Sequence, residues 1–324
     1  MEYRRLGNTG ILVSEVSYGT WRTFSHQLDE SGVRRMLSAA LDAGINYFDT
    51  ADVHGVGTAE SLLGRNLPKL AIRQDFVVST KAFFPMGEGV NNRGLSRKHI
   101  FDSVHDSLRR LQVDYIDLFY CHRYDEHVPL VETIQAMQDL IRAGKILHWG
   151  VSEWTADQIA EASSKCKANG WIPPAVNQPR YSLLQRKAEE RLLSVCEHHG
   201  LGVAAFSPLA EGILSGKYLD GARPEGSRGS VTKLNVFMRE ELENGDTEER
   251  VRRFSALARK AGWTPSQLAL AFLLRRREVD TAVIGGRTPK QLQENARASG
   301  ARASAALLDQ VDAIFPVQRQ PGGP

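Results

Sequence analysis

Short apolar runs recur along the chain, and most are followed by longer stretches in which apolar residues return every three or four positions. The runs predict buried strands at 13–18, 45–48, 76–80, 115–120, 146–151, 175–177, 203–206 and 281–284. The longer period predicts helices at 29–43, 58–66, 97–111, 130–143, 155–168, 187–199, 247–261, 265–277, 289–298 and 305–314. Within 29–43, Val33, Met36, Leu37 and Ala40 share one face, and Gly44 ends the helix. Ser96, Thr155 and Ser304 stand where helix N-caps are needed. Residues 3–13 read as a hairpin turning at Asn8-Thr9-Gly10. A long irregular insert, 210–246, interrupts the alternation, and 317–324 reads as a disordered tail.

Eight strands alternating with helices predict a (β/α)8 barrel, α/β in class, as one domain over 1–324. A doubly wound sheet would need a glycine-rich turn after the first strand, and Gly19-Thr20-Trp21-Arg22 is not one. Gly55-Val56-Gly57 does precede a helix. The position three beyond Gly57 is Glu60, however, so the dinucleotide fingerprint fails.

Composition narrows the class. A hydrophobic fraction of 42% and a charged fraction of 24% suit a globular enzyme. A net charge of +3 is too small to argue for a nucleic-acid partner. The one basic triplet, Arg275-Arg276-Arg277, closes an apolar helix, where cations suit the carbonyl end. Cys121, Cys166 and Cys196 are odd in number and widely spaced, which argues against a disulfide framework or a cysteine zinc site and for a reducing compartment. The N-terminal stretch lacks the apolar core of a signal peptide, and no apolar run is long enough to span a membrane. The chain therefore reads as cytoplasmic, with no membrane partner.

The chemistry gathers at strand ends. Around 46–64 an apolar run ends in Asp49, a polar turn carries His54, and a helix follows. The next strands end at Lys81, His122 and Ser152. Strand ends of one barrel converge on one mouth, so these side chains are expected to share a pocket suited to acid–base work beside a cofactor. His198-His199 and the pair His122 and His127 lack the carboxylates or cysteines that would complete a metal site, and no metal is expected. Trp21 and Trp154 each follow a strand end and are pocket candidates, as is Phe83 (with Phe84) after Lys81.

The blocks GTW at 19–21, FDTADVHG at 48–55, STK at 79–81, LFYCHRYD at 118–125, GVSEW at 150–154, NQPRYS at 177–182, FSPLAEGILSGKY at 206–218, SR at 227–228 and IGGRTPKQLQEN at 284–295 resemble the aldo-keto reductases. The resemblance runs in family order over nearly the whole chain, and within the family is nearest to the potassium-channel β-subunit group and its bacterial relatives. It implies an NADPH-dependent carbonyl reductase acting on a small-molecule substrate. Carried over by position, the catalytic set is Asp49, His54, Lys81 and His122. Thr20, Trp21, Gln27 and Asp49 would border the nicotinamide, Ser152 and Gln178 would hold its carboxamide, and Phe206 would stack on its ring. Ser207, Leu209, Gly212, Lys217 and Arg228 would line the pyrophosphate. Gly286, Arg287, Gln291, Glu294 and Asn295 would hold the adenosine end, with Arg287 beside a helix N-terminus suited to a 2′-phosphate. The Phe206 position is tryptophan in the channel subunits and the Glu153 position usually arginine, which leaves the cofactor assignment standing.

The departure lies at position 54, where the family's proton donor is a tyrosine and this chain has His54. Imidazole has an ordinary pKa of about 6.5 against about 10 for a phenol. It also reaches about 2 Å less far, against a hydrogen bond of about 3 Å. Three readings follow: His54 as imidazolium donates the proton, His122 takes that role, or the chain is a weakly active NADPH-binding module like a β-subunit. The resemblance further suggests a nucleotide-linked keto-deoxysugar as substrate, or an activated C=C bond as the reducible group. It also leaves a homo-oligomer open.

Overall fold

The computed structural model describes residues 1–225, 227–230 and 238–317. Strands β1 (Tyr3–Arg5) and β2 (Leu12–Ser14) form an antiparallel hairpin, with Arg4 opposite Val13. Eight further strands close into a parallel barrel: β3 (Val16–Gly19), β4 (Tyr47–Asp49), β5 (Val77–Ala82), β6 (Ile116–Cys121), β7 (Ile146–Ser152), β8 (Val176–Gln178), β9 (Gly202–Phe206) and β10 (Thr281–Ile284). They pair in chain order, and β10 returns to β3. Helices Glu30–Asp42, Thr58–Asn66, Arg97–Leu111, Leu130–Arg142, Ala156–Ala168 and Leu192–His199 connect successive strands. Gly245–Lys260 and Pro265–Leu274 lie between β9 and β10, and Pro289–Ala296 and Ala305–Ile314 follow β10. This is the (β/α)8 barrel that the alternation predicts.

Side chains alternate across each strand, so one residue in two faces the barrel axis. Tyr47, Val77, Leu118, Tyr120, Val176, Ala204 and Val283 form the inner cluster, together with Leu6 and Val13 from the hairpin. Phe48, Val78, Phe119 and Cys121 belong to the outer cluster beneath the helices. The hairpin covers the end of the barrel where the strands begin. Asn8 N–H donates to the Gly200 carbonyl at 2.9 Å, and Gly7 N–H to Asp280 Oδ2 at 3.0 Å. Gly7 has φ +50, and a Cβ there would lie 2.3 Å from the Gly202 nitrogen, so only glycine lets the hairpin seat this closely.

Three segments differ from the pattern. Val13 belongs to the hairpin, and the barrel strand starts at Val16 because Ser14 bends the chain, its hydroxyl donating to the Val16 carbonyl at 2.7 Å. The helix expected over 187–199 is a 3₁₀ turn, Lys187–Glu189, followed by Leu192–His199. Arg186 grips Glu189 with two nitrogens at 2.7 and 2.8 Å, and Tyr181 donates to the same carboxylate at 2.8 Å. That buried fork holds the turn against helical continuation. The helix expected to reach 277 ends at Leu274, and Arg4 of the hairpin donates to the carbonyls of Leu274, Arg276 and Val279. Within 210–246 the described residues form 3₁₀ turns at Ala210–Ser215, Leu219–Gly221 and Arg228–Ser230 and a short helix, Arg239–Glu243. The tail from 318 on lies outside the described residues.

Gly150 leaves room for the inner cluster. A Cβ there would stand 2.6 Å from Val176 Cγ1, 2.8 Å from the Val176 carbonyl oxygen and 2.9 Å from Tyr120 Cδ1. Gly150→Ala is expected to lower stability by about 1–3 kcal/mol through overpacking. Urea denaturation followed by circular dichroism measures it, and an unchanged midpoint would contradict the packing argument.

Candidate active site

The end of the barrel opposite the hairpin collects the polar strand ends. Asp49 closes β4, Lys81 lies near the end of β5, and His122 follows β6, its N–H bonded to the Ala82 carbonyl at 3.0 Å. Inward register places Asp49, Ser79, Lys81 and Tyr120 on the same face as Tyr47 and Val77. Lys81 Nζ donates to Asp49 Oδ1 and to the Thr50 carbonyl, each at 2.6 Å. The same Asp49 oxygen accepts from Ser79 Oγ at 2.6 Å and Gln178 Nε2 at 3.0 Å. Burial pushes the Lys81 ammonium below the usual lysine range, and Asp49 opposes that shift.

A file of hydroxyls leads into this pair from below. Tyr47 donates to Ser79 Oγ at 3.1 Å, and the Tyr47 and Tyr120 hydroxyls are 2.8 Å apart. Because Ser79 spends its own proton on Asp49, the file runs Tyr120 to Tyr47 to Ser79 to Asp49, each hydroxyl donating to the next. Burial drives both phenols far above the ordinary tyrosine pKa, so they serve as neutral donors.

His54 sits above this layer, 7% exposed. Its Nδ1 is 3.3 Å from Thr20 Oγ1, and Thr20 donates in turn to Thr50 Oγ1 at 2.8 Å. Thr20 therefore accepts from the imidazole, which assigns the neutral ring's proton to Nδ1 and leaves Nε2 with the open lone pair. Burial, then the Lys81 cation, lowers the His54 pKa well below the ordinary value. The His122 ring lies 6.3 Å from it, edge-on, and is depressed by burial, then Lys81, then His54 and Arg123. Both imidazoles are neutral near pH 7. Asp49 does not offset these effects at His54, because its carboxylate is engaged by Lys81, Ser79 and Gln178.

The turn carrying His54 is braced from behind. Asp52 is fully buried, and its N–H donates to the Lys81 carbonyl at 3.2 Å while its own carbonyl accepts from Gly57 at 2.6 Å. Glu60 takes Thr80 Oγ1 and Arg110 Nε, each at 2.6 Å. Of the pair after Lys81, Phe84 rather than Phe83 meets His122, at 4.9 Å between ring centres, and Phe83 stands behind it at 5.4 Å. Trp21 is half-buried beneath the Arg22 guanidinium at 4.4 Å. Trp154 is 1% exposed and packs edge-on against Tyr124 at 4.8 Å. Pattern alone singled out neither Tyr47, Ser79 and Tyr120 nor Asp52. Their signal is register, since each counts back by twos or lies within the turn from a polar strand end.

The residues expected to hold a cofactor occupy the neighbouring strand ends. Ser152 Oγ donates to the Gln178 carbonyl at 2.9 Å, joining the ends of β7 and β8. Gln27 closes the turn Thr23–His26, and Phe206 ends β9. Beyond it, Ser207, Ala210, Glu211 and Gly212 have φ of 50, 47, 58 and 98°, and the Ala210 and Gly212 N–H groups close tight turns on the Ser207 and Leu209 carbonyls, each at 2.9 Å. Leu209 lies half-buried in that segment, and Ser207 Oγ donates to Glu211 at 2.9 Å. A Cβ at Gly212 would stand 2.8 Å from Lys217 Nζ, so glycine admits the ammonium against the loop. Arg228 opens the turn Arg228–Ser230. After β10, the Gly286 carbonyl accepts from Tyr18 at 3.1 Å, and Arg287 N–H donates to Gln291 Oε1 at 3.1 Å. Glu294 offers its carbonyl to Gln267, and Asn295 is buried on the same helix. Lys217 and Arg287 put cations on the loops after β9 and β10, Ser152 and Gln178 put polar side chains at the ends of β7 and β8, and the buried His122 Nδ1 has no partner among the described residues. That donor set fits a dinucleotide carrying phosphates at one end and an amide at the other.

Comparison with known proteins agrees. The sequence profile of the Aldo/keto reductase family matches residues 15–315. The chain belongs to the aldo/keto reductase family. It is similar, at 39% identity over 325 residues, to a protein of Oryza sativa subsp. japonica named probable voltage-gated potassium channel subunit beta, covering 99% of this chain and 98% of the relative. A relative of the same name from Arabidopsis thaliana is 37% identical, covering 100% and 99%. As an aldo/keto reductase the protein is an NADPH-dependent oxidoreductase. Among the described residues, no helix of this reductase is long and apolar enough to cross a membrane.

Asp49→Asn in the reductase leaves the Lys81 ammonium buried without its counter-charge, and is expected to cost about 3–5 kcal/mol at pH 7. Burial already holds Lys81 below its unfolded pKa, so the unfolded variant binds the extra proton and stability rises with pH. The deficit should shrink between pH 7 and 10 in denaturant titrations. A deficit that grows over that range would reverse the assignment.

Proposed function

We propose that the protein reduces the carbonyl of an aldehyde or ketone with NADPH, and that His54 stands where aldo/keto reductases place their tyrosine donor. The observation that carries this reading is the buried Lys81–Asp49 pair, 2.6 Å apart, sharing one barrel mouth with His54 and His122. Bound NADPH supplies a hydride. Thr20, Trp21, Gln27, Ser152, Gln178 and Phe206 would hold its nicotinamide half. Ser207, Leu209, Gly212, Lys217 and Arg228 would hold its pyrophosphate, and Gly286, Arg287, Gln291, Glu294 and Asn295 its adenosine end. Trp21, Phe83 and Phe84 would border the substrate, with Trp154 supporting the wall from behind Tyr124. The whole reaction would run in the single barrel domain. Three buried, unpaired cysteines suit the cytoplasm.

Proton delivery follows from the electrostatics. A neutral His54 with its proton on Nδ1 has only a lone pair at Nε2 to offer, so it accepts a proton and does not give one. Donation to a carbonyl oxygen requires the imidazolium, which burial and Lys81 make scarce at pH 7 and strongly acidic once formed. The structural favourite for the donor is His54 because Thr20 orients its ring, whereas His122 Nδ1 has no orienting partner among the described residues. An electron-poor carbonyl needs the least help from the acid. A nucleotide-linked keto-deoxysugar is such a substrate and is the one proposed. A second reading, an NADPH-binding module with little turnover, is favoured by the two relatives named as potassium channel subunits.

The test is NADPH consumption across aldehydes, ketones and keto-sugar nucleotides at pH 5.5 to 8.5. Turnover is expected to rise as pH falls, by up to about tenfold per unit, because the protonated fraction grows in that direction. His54→Phe should cost about 10²–10⁴ in kcat and flatten the slope. His54→Tyr should restore a donor active across the range. If His54→Phe keeps both rate and slope while His122→Phe loses them, the donor is His122. Cofactor binding with no carbonyl-dependent oxidation would establish the second reading.

A further inference from the structure

A second recess lies at the opposite end of the barrel, about 580 Å³ in volume, between the hairpin, the end of the Pro265–Leu274 helix and the chain at 301–303. Five guanidinium groups line it, those of Arg4, Arg5, Arg275, Arg277 and Arg302, with a single carboxyl, Asp280. Two of the five are held by carboxylates. Arg4 pairs with Glu15 at 2.6 Å while binding three carbonyls, and Arg275 donates to the Phe272 carbonyl at 2.7 Å and pairs with Asp312 at 3.3 Å. Arg302 donates to the Ala301 carbonyl at 3.2 Å and approaches the Glu15 already held by Arg4 at 3.7 Å. Among the described residues, no carboxylate stands within 4.0 Å of Arg5 or Arg277. Asp280 contributes little neutralisation. Its Oδ2 accepts the N–H groups of Gly7 and Val203, and burial raises its carboxyl to about 7.

Like charges gathered in one recess repel, and Arg5 and Arg277 are both exposed, with one Arg5 nitrogen spent on the Thr9 carbonyl at 3.2 Å. Planar guanidinium forks match phosphate oxygens in pairs, and two such forks on different segments suit an anion with several phosphates better than a single carboxylate. The concave shape and volume fit a small molecule rather than a flat lipid surface. We propose that this recess binds a compact polyphosphate anion, either inorganic or as the phosphate end of a nucleotide. The site is separate from the strand-end mouth. An anion in it would tie the N-terminal hairpin to the segment before the last helix, so binding would also stabilise the barrel's closed end.

Isothermal titration of inorganic pyrophosphate into the full chain tests this, at constant ionic strength and with saturating NADP+ so that the cofactor's own anion contacts are filled. One saturable site is expected, with the thermal midpoint rising alongside. The double reversal Arg5→Glu with Arg277→Glu should weaken binding by about tenfold or more, as loss of two charge-assisted forks predicts. Lys98→Glu, a reversal on an exposed helix elsewhere, should leave it unchanged. ADP binding no tighter than pyrophosphate would identify the phosphates alone as the recognised group, and tighter ADP binding a nucleotide. Non-saturating heats, or equal affinity in wild type and the double reversal, would overturn the proposal, and neither outcome depends on whether any carbonyl is reduced.

Discussion

Two opposite charges, Lys81 and Asp49, meet inside the barrel at 2.6 Å with 1% and 6% of their side chains exposed. Taking each from water costs several kcal/mol, which the mutual attraction offsets only if the remaining hydrogen-bonding capacity is filled. Here it is filled. Asp49 Oδ1 takes three donors and Lys81 gives a second bond to the Thr50 carbonyl. Those partners come from β4, β5 and β8, so the pair is also a joint that fixes three strand ends relative to one another. The hydroxyl file from Tyr120 through Tyr47 and Ser79 adds a polarised approach from the barrel interior, and each member strengthens the next in a low-dielectric setting.

The two histidines take part of their character from this pair. Burial lowers both imidazoles first, and the Lys81 charge adds to that in each. Their depressed pKa values make the mouth a place where a proton is scarce at neutrality and readily released when present. The same wiring that sets Thr20 as an acceptor for His54 decides which ring nitrogen keeps its lone pair. The hairpin matters to this chemistry indirectly. It covers the end where the strands begin with Leu6 and Val13, so the polar groups lie at the open strand-end mouth.

Much of this was readable before any coordinates. The barrel followed from eight short runs alternating with helical periods, and Thr58–Asn66, Thr281–Ile284 and Ala305–Ile314 fall where the pattern put them. Ser96, Thr155 and Ser304 cap the expected helices. The convergence of Asp49, Lys81, His122 and Ser152 followed from the topology alone, because parallel strands end together. The helix at 187–199 was misjudged because the Arg186–Glu189–Tyr181 fork, which breaks it, draws on a partner at 312 and a carbonyl at 315. The roles of Tyr47 and Tyr120 were hidden for a related reason, since in sequence they read as ordinary members of apolar runs.

By itself the sequence determined the order of elements and which polar groups end the strands at the mouth. Those properties depend on local periodicity, which a chain carries wherever it folds. Only the tertiary structure decided how those groups share their charges. Whether Asp49 serves His54 or Lys81, which histidine nitrogen is open, and how far burial displaces each proton depend on distances between strands that are far apart in the chain. In a dry interior the strength of each charge interaction follows from those distances and from burial, and the residue type alone fixes neither.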